Sequence, residues 1–126
     1  MSLRTVPVAL TAAALLAVGA APSAASARST YCSPTGDLCY AVVKHAPVRL
    51  RITTAAAYFA RYQLCVTGPD GVRDCRRFRM LAAPHGLRQS TVRWSRHFPN
   101  RGHGTYRVRY RSGGHALGPA ISFRRT

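Results

Sequence analysis

Residues 61–79 read RYQLCVTGPDGVRDCRRFR, two alternating runs joined by the turn Gly68-Pro69-Asp70-Gly71. Alternation with period two places successive side chains on opposite faces of an extended strand. Extended one turn outward, Tyr58, Ala60, Tyr62, Leu64 and Val66 share an apolar face, and Phe78 and Met80 fall on the same face of the return run. With Cys65 opposite Cys75, Tyr62 faces Phe78 on the inside, while Gln63 faces Arg77 and Arg61 faces Arg79 on the outside. The stretch is therefore a β-hairpin with a disulfide across its polar face. Such a crosslink stabilises by roughly 2–3 kcal/mol, mainly by restricting the unfolded chain.

The same period recurs on either side. Val48, Leu50 and Ile52 alternate with Arg49, Arg51 and Thr53, and Tyr106, Val108 and Tyr110 alternate with Arg107, Arg109 and Arg111. Val92, Trp94 and Phe98 predict another strand, with Arg93, Ser95 and His97 outward, and Gly113-Gly114 turns the chain into a last strand holding Ile121 and Phe123. With a first strand after the Cys32 to Cys39 loop, the count is about seven short strands and no helix in this part of the chain. Seven strands in one small domain predict two antiparallel sheets packed face to face, with a small β-barrel as the alternative.

The N-terminal segment has a different character. Arg4 precedes an apolar stretch, Val6 to Ala21, and the segment closes with the small residues Ala25-Ser26-Ala27. One early cation, a short hydrophobic run and small residues at the end form a cleavable signal over residues 1–27. The run is too brief, and Pro7 too disruptive, for a membrane anchor. The mature part, residues 28–126, is 99 residues long, enough for one domain and with no transmembrane segment. Localisation outside the cell, secreted or wall-associated, follows. In that oxidising setting the four cysteines pair, and spacing favours Cys32 with Cys39 around SPTGDL and Cys65 with Cys75 around VTGPDGVRD. Neither spacing suits zinc.

Seventeen arginines and Lys44 stand against only Asp37, Asp70 and Asp74 in residues 28–126, a formal net charge of +15. Arginine in place of lysine is also what GC-rich coding produces, but such coding supplies acidic codons too, so the scarcity of acids needs a cause. No Glu occurs, and each Asp has a structural reading: Asp37 in the disulfide loop, Asp70 at the hairpin tip, Asp74 beside Arg73 and Arg76. Without paired carboxylates there is no glycosidase dyad and no site for a hard cation. Of the five histidines, His97 and His103 alone lie close in sequence, and nearby Arg96 and Arg101 oppose a metal. No Ser occupies a nucleophile elbow, and the thiols are spoken for. The expectation is a non-catalytic protein with no cofactor and no metal.

Gly104-Thr105-Tyr106-Arg107-Val108 opens the penultimate strand after a turn. This run resembles the tyrosine corner of immunoglobulin-like sandwiches, in which the ring packs inside and its hydroxyl bonds nearby backbone. Val108 stands where an antibody domain carries its second Cys, and Trp94 falls outside the antibody position. The resemblance implies an all-β, immunoglobulin-like antiparallel β-sandwich but not the antibody subfamily. The chain is also similar to small secreted proteins of high-GC Gram-positive bacteria, through YCSPTGDLC at 31–39 and VRWSRHFP at 92–99. That likeness implies export and carries no activity.

In an immunoglobulin-like arrangement the hairpin and the last two strands share a sheet. Its outer face then carries Arg61, Arg77, Arg79, Arg107, Arg109 and Arg111, with Arg124 and Gln63 among them, while the other sheet shows Arg49, Arg51 and Arg93. Guanidinium rows of this kind suit phosphate and carboxylate oxygens, so the expected partner is an anionic cell-wall or extracellular polymer. Nonspecific nucleic acid binding in vitro is a corollary of the charge. Sequence-specific DNA reading is not expected, for want of a recognition helix, a zinc module or exposed aromatics. The alternative is an interaction module whose loops Ala82 to Gln89 and Pro99 to Gly104 meet a protein or small ligand, the arginine face being merely solvated. One form of it, an apolar-ligand carrier like the chromoprotein apoproteins, shares the hairpin cysteine spacing but not the charge.

Cleavage after Ala27 predicts that the exported protein has the intact mass of a chain beginning at Arg28. Finding the segment Met1 to Leu16 in the exported product by mass spectrometry would overturn that reading.

Overall fold

The computed structural model describes residues 28–126, and the expected signal segment lies outside the described residues. The chain forms two five-stranded antiparallel sheets that do not close into a barrel. In chain order the strands are β1 (Thr30–Cys32), β2 (Leu38–His45), β3 (Val48–Thr54), β4 (Arg61–Thr67), β5 (Arg73–Arg79), β6 (Leu81–Ala82), β7 (Arg88–Arg93), β8 (Gly104–Ser112), β9 (His115–Ala116) and β10 (Ile121–Arg125). One sheet runs β1-β2-β3-β7-β6. The other runs β10-β8-β4-β5, with the short β9 pairing β8. Setting aside β1, the two orders have the connectivity of an immunoglobulin-like sandwich of the type with a strand added beside the third. Seven strands are five residues or longer, as expected, and β1, β6 and β9 are short additions.

The inner faces are the apolar halves of the alternations. Leu50, Ile52, Leu64, Val108 and Tyr110 are fully buried, with Tyr62, Val66, Val92, Ile121 and Phe123 around them. Tyrosines make up much of the centre: Tyr40 stacks on Tyr110 at 4.5 Å between ring centroids, and Tyr62 on Tyr110 at 5.6 Å. The Tyr62 hydroxyl meets the Ser90 hydroxyl at 2.8 Å, and that of Tyr40 donates to the Pro119 carbonyl. Burial pushes the hydroxyls of Tyr40 and Tyr62 up to about 12 and raises that of Tyr110 as well, so all three remain neutral in the fold.

Both disulfides form as expected, each across one rung of an antiparallel pair. Cys65 lies opposite Cys75, Tyr62 opposite Phe78, Gln63 opposite Arg77 and Arg61 opposite Arg79. Cys32 lies opposite Cys39, and β1 precedes it, so a strand stands on both sides of this loop and not only after it.

Three expectations need correction. Tyr58 and Ala60 are not on the inner face: β4 starts at Arg61, and Tyr58 is 57 % exposed. No strand runs through Trp94 to Phe98. Strand β7 ends at Arg93 and the chain makes one helical turn, α1 (Trp94–His97), closed by the Phe98 N–H on the Trp94 carbonyl at 2.9 Å. A continued strand would have driven Arg96 into the core. The helical turn instead buries Trp94 and Phe98, four residues apart on one face, and leaves Arg96 exposed. A 3-10 turn at Pro84–Gly86 is the other short helical segment, in a region expected to be loop.

The third correction concerns the acids. Asp70 does cap the hairpin tip, accepting from the Val72 N–H at 3.1 Å. Yet Asp70 and Asp74 also converge on Arg101, whose Nε and Nη2 reach the two oxygens of Asp74 at 2.9 and 3.2 Å and whose Nη1 reaches Asp70 at 3.2 Å. Gly68 lies against the Arg101 side chain, where an added Cβ would sit only 2.8 Å from its Cδ. The hydrogen bond from Arg101 holds the Asp74 carboxyl below the usual carboxylate range. The same segment carries the tyrosine corner. The Tyr106 hydroxyl accepts from the Arg101 N–H at 2.9 Å and donates to the Gly102 carbonyl at 2.7 Å. Its ring is buried between Trp94 and Phe123.

Tyr106→Phe keeps the ring and removes both of those bonds. We expect a loss of about 1–2 kcal/mol in chemical denaturation, and an unchanged midpoint would argue against the corner as an anchor. Because the folded Asp74 is held below its unfolded value, its contribution is present at neutral pH and lost as pH falls through the folded value. Asp74→Asn is therefore expected to lower the melting temperature at pH 7 and to narrow its gap from the parent in strong acid. A constant gap across that range would show that the carboxylate charge is not what matters.

Candidate anion-binding face

Strand β4 is central in its sheet, paired with β5 on one side and β8 on the other. Its inward residues Tyr62, Leu64 and Val66 are buried, which turns Arg61, Gln63, Cys65 and Thr67 outward. The rungs across the sheet follow from the two registers. Arg79 stands opposite Arg61, and Arg77 opposite Gln63, which in turn faces Arg111. The Cys65–Cys75 rung continues to Arg109, and Arg73 faces Thr67, which faces Arg107. On β10, Ser122 lies beside Arg107 and Arg124 beside Thr105.

All six arginines expected to share a face do so. Arg124 joins them, and so does Arg73, which the sequence reading set beside Asp74 and did not place on the face. Its alternation with Cys75, Arg77 and Arg79 was the signal that could have found it. Apart from Arg111, which is partly buried and donates to the Gly114 carbonyl at 2.7 Å, all these arginines are exposed. Arg73 also reaches the Cys65 sulfur at 3.3 Å.

The layout is two rails and a trough. Arg73, Arg77 and Arg79 line one side on β5, and Arg107, Arg109 and Arg111 the other on β8, about 10 Å apart at ordinary strand spacing. Between them β4 presents the neutral Gln63, Cys65 and Thr67. One end of the trough is a depression of about 440 Å³ bounded by Arg61, Gln63, Arg77, Arg111 and the Gly113-Gly114 turn. The other is a depression of about 210 Å³ bounded by Cys65, Thr67, Arg73, Arg107 and Arg109.

Among the described residues, the ion pairs are those of Arg101 with Asp70 and Asp74, so no arginine of this face has a carboxylate partner. Like charges on facing strands repel, by a few tenths to about 1 kcal/mol for a directly opposed pair. An anion laid between the rails would relieve that repulsion and accept from forked donors on both sides.

The loops expected to serve the alternative reading differ from one another. Pro99 to Gly104 is tied down by Arg101 and Tyr106. Ala82 to Gln89 holds the 3-10 turn, closed by the Ala83 N–H on the Leu87 carbonyl, with His85 in the left-handed region and Leu87 exposed. The exposed Tyr58 is an aromatic that the sequence reading had assigned to the interior. Among the described residues, no three His, Cys, Asp or Glu side chains are grouped to hold a metal ion.

Comparison with protein-family models, with curated proteins and with solved structures returns no match to this chain.

Proposed function

We propose that this protein is a secreted, non-catalytic binding module for an anionic polymer outside the cell, held along the arginine-railed trough of the β10-β8-β4-β5 sheet. The observation that carries the reading is that, among the described residues, no arginine of that face has a carboxylate partner, while two of the three acids serve Arg101 elsewhere. Successive outward residues of β8 lie about 6.8 Å apart, so a linear polyanion lying along the strands meets a guanidinium at each step. The two disulfides fit an oxidising, extracellular setting. Binding of this kind releases counterions, and affinity falls steeply with salt.

The test compares two double variants with equal change of net charge. Arg77→Glu with Arg109→Glu places one reversal on each rail, whereas Lys44→Glu with Arg51→Glu alters exposed cations of the other sheet. Against a poly(glycerol phosphate) or a polyuronate at fixed ionic strength, the rail variant is expected to lose at least about tenfold in affinity and the control about twofold. Equal losses would reduce the face to a source of long-range attraction.

A further inference from the structure

A second basic site lies on the opposite sheet, independent of the trough. Arg49 and Arg93 stand directly opposite one another on β3 and β7. The helical turn α1 then folds the chain back, so that Arg96 and His97 line the same depression as Arg49, Thr91 and Arg93, about 350 Å³ in volume. A continued strand would have carried Arg96 and His97 away from it. The His97 ring is held there edge-on to Phe78 at 5.0 Å. Thr91 accepts from the Arg51 guanidinium at 3.3 Å, which leaves its own hydroxyl proton to donate.

Three arginines and a histidine line the depression, and among the described residues no carboxylate does. Asp70 and Asp74 are engaged with Arg101, and Asp37 sits near Thr54, at the far end of β3 from Arg49. The Arg93 Nε is buried with no hydrogen-bond partner among the described residues. A buried donor of this kind calls for an acceptor, and a charged one calls for an anionic acceptor.

We propose that this depression binds a phosphomonoester dianion. Three forked donors suit a tetrahedral group with three terminal oxygens better than a carboxylate with two, and three local charges without a counterion favour a dianion over a monoanionic diester. The Arg93 guanidinium and the Thr91 hydroxyl meet the anion from the sheet, and Arg96 meets it from α1. The shared chemistry belongs to inorganic phosphate and to the phosphate end of a larger molecule.

The experiment follows the side-chain Nε–H signal of Arg93 by NMR in the nitrogen-15-labelled secreted chain. The ligands are inorganic phosphate, phenyl phosphate and dimethyl phosphate, at constant ionic strength and pH about 7.5, where the monoester is a dianion. Saturable movement of the Arg93 signal with inorganic and phenyl phosphate, and at least about tenfold weaker binding of dimethyl phosphate, is the expected result. Tighter binding of phenyl phosphate than of inorganic phosphate would identify the phosphate end of a larger molecule as the source, and the reverse would identify the free ion. Arg96→Gln, an exposed change, should weaken binding by about tenfold with the near-ultraviolet spectrum of the tyrosine core unchanged, while Arg28→Gln, an exposed change outside both the depression and the trough, should cost less than about twofold. A motionless Arg93 signal, equal binding of the diester, or equal losses in the two variants would overturn the proposal. None of these outcomes bears on the trough, whose ligand is read by different variants.

Discussion

Strand β4 is in register with two neighbours at once, and most of the molecule depends on that constraint. Its inward side chains, Tyr62, Leu64 and Val66, are almost completely buried. A slip of one residue against β5 or β8 would exchange the two faces and bring Arg61, Gln63 and Cys65 into the core. Burial therefore specifies the pairing, and the Cys65–Cys75 rung locks it covalently. The outer face is a consequence: once the tyrosines and aliphatics of β4 and β8 are inside, the alternate arginines of those strands point to the opposite surface. The register carries Arg73, Arg77 and Arg79 of the edge strand β5 with them, while Arg76 falls opposite Leu64. Selection for a core explains that these residues point outward, but not that so many are arginine.

The acids show how the little negative charge is spent. Arg101 draws Asp70 and Asp74 together at the hairpin tip, and its backbone N–H donates to the Tyr106 hydroxyl. One residue thus joins the β4–β5 turn to the corner that opens β8, a link between two connections at the same end of the sandwich. Since the pairs are partly exposed, their strength depends on geometry and on shielding more than on charge alone. The bidentate contact with Asp74 supplies that geometry. The remaining arginines on the two sheets are left without carboxylate partners among the described residues.

The two basic regions differ in shape, and their chemistry differs accordingly. On the β10-β8-β4-β5 sheet, the cations lie in parallel rows over extended backbone, separated along most of their length by the neutral Gln63, Cys65 and Thr67 of β4, with Arg61 at one end. That arrangement suits a long ligand and little selectivity for any one group along it. On the other sheet, one helical turn converts a pair of opposed arginines into a concavity with a buried donor. That arrangement suits a compact group and discriminates by charge and by the number of terminal oxygens.

The alternation of apolar and basic residues, the turn at Gly68 to Gly71 and the spacing of the cysteines are local, and they determined by themselves most of the longer strands, the hairpin register, both disulfides and the outward direction of Arg61, Arg77, Arg79, Arg107, Arg109 and Arg111. The sharing of one sheet by the hairpin and β8 was implied only by the immunoglobulin-like resemblance and decided by the pairing of β4 with β8. Period two is a property of the extended backbone, so side-chain direction within a strand can be read without knowing its neighbours. The Gly104 to Val108 run made the tyrosine corner legible in the same way, since its bonds go to backbone only four and five residues upstream. Only the tertiary structure decided the turn at Trp94, the pairing of Arg101 with two acids about 30 residues away, and the convergence of Arg49, Arg93, Arg96 and His97. Trp94 and Phe98 satisfy a strand pattern as far as hydrophobicity goes. What selects the helical turn is Arg96 between them, which a strand would have to bury against the other sheet and a helix leaves in water.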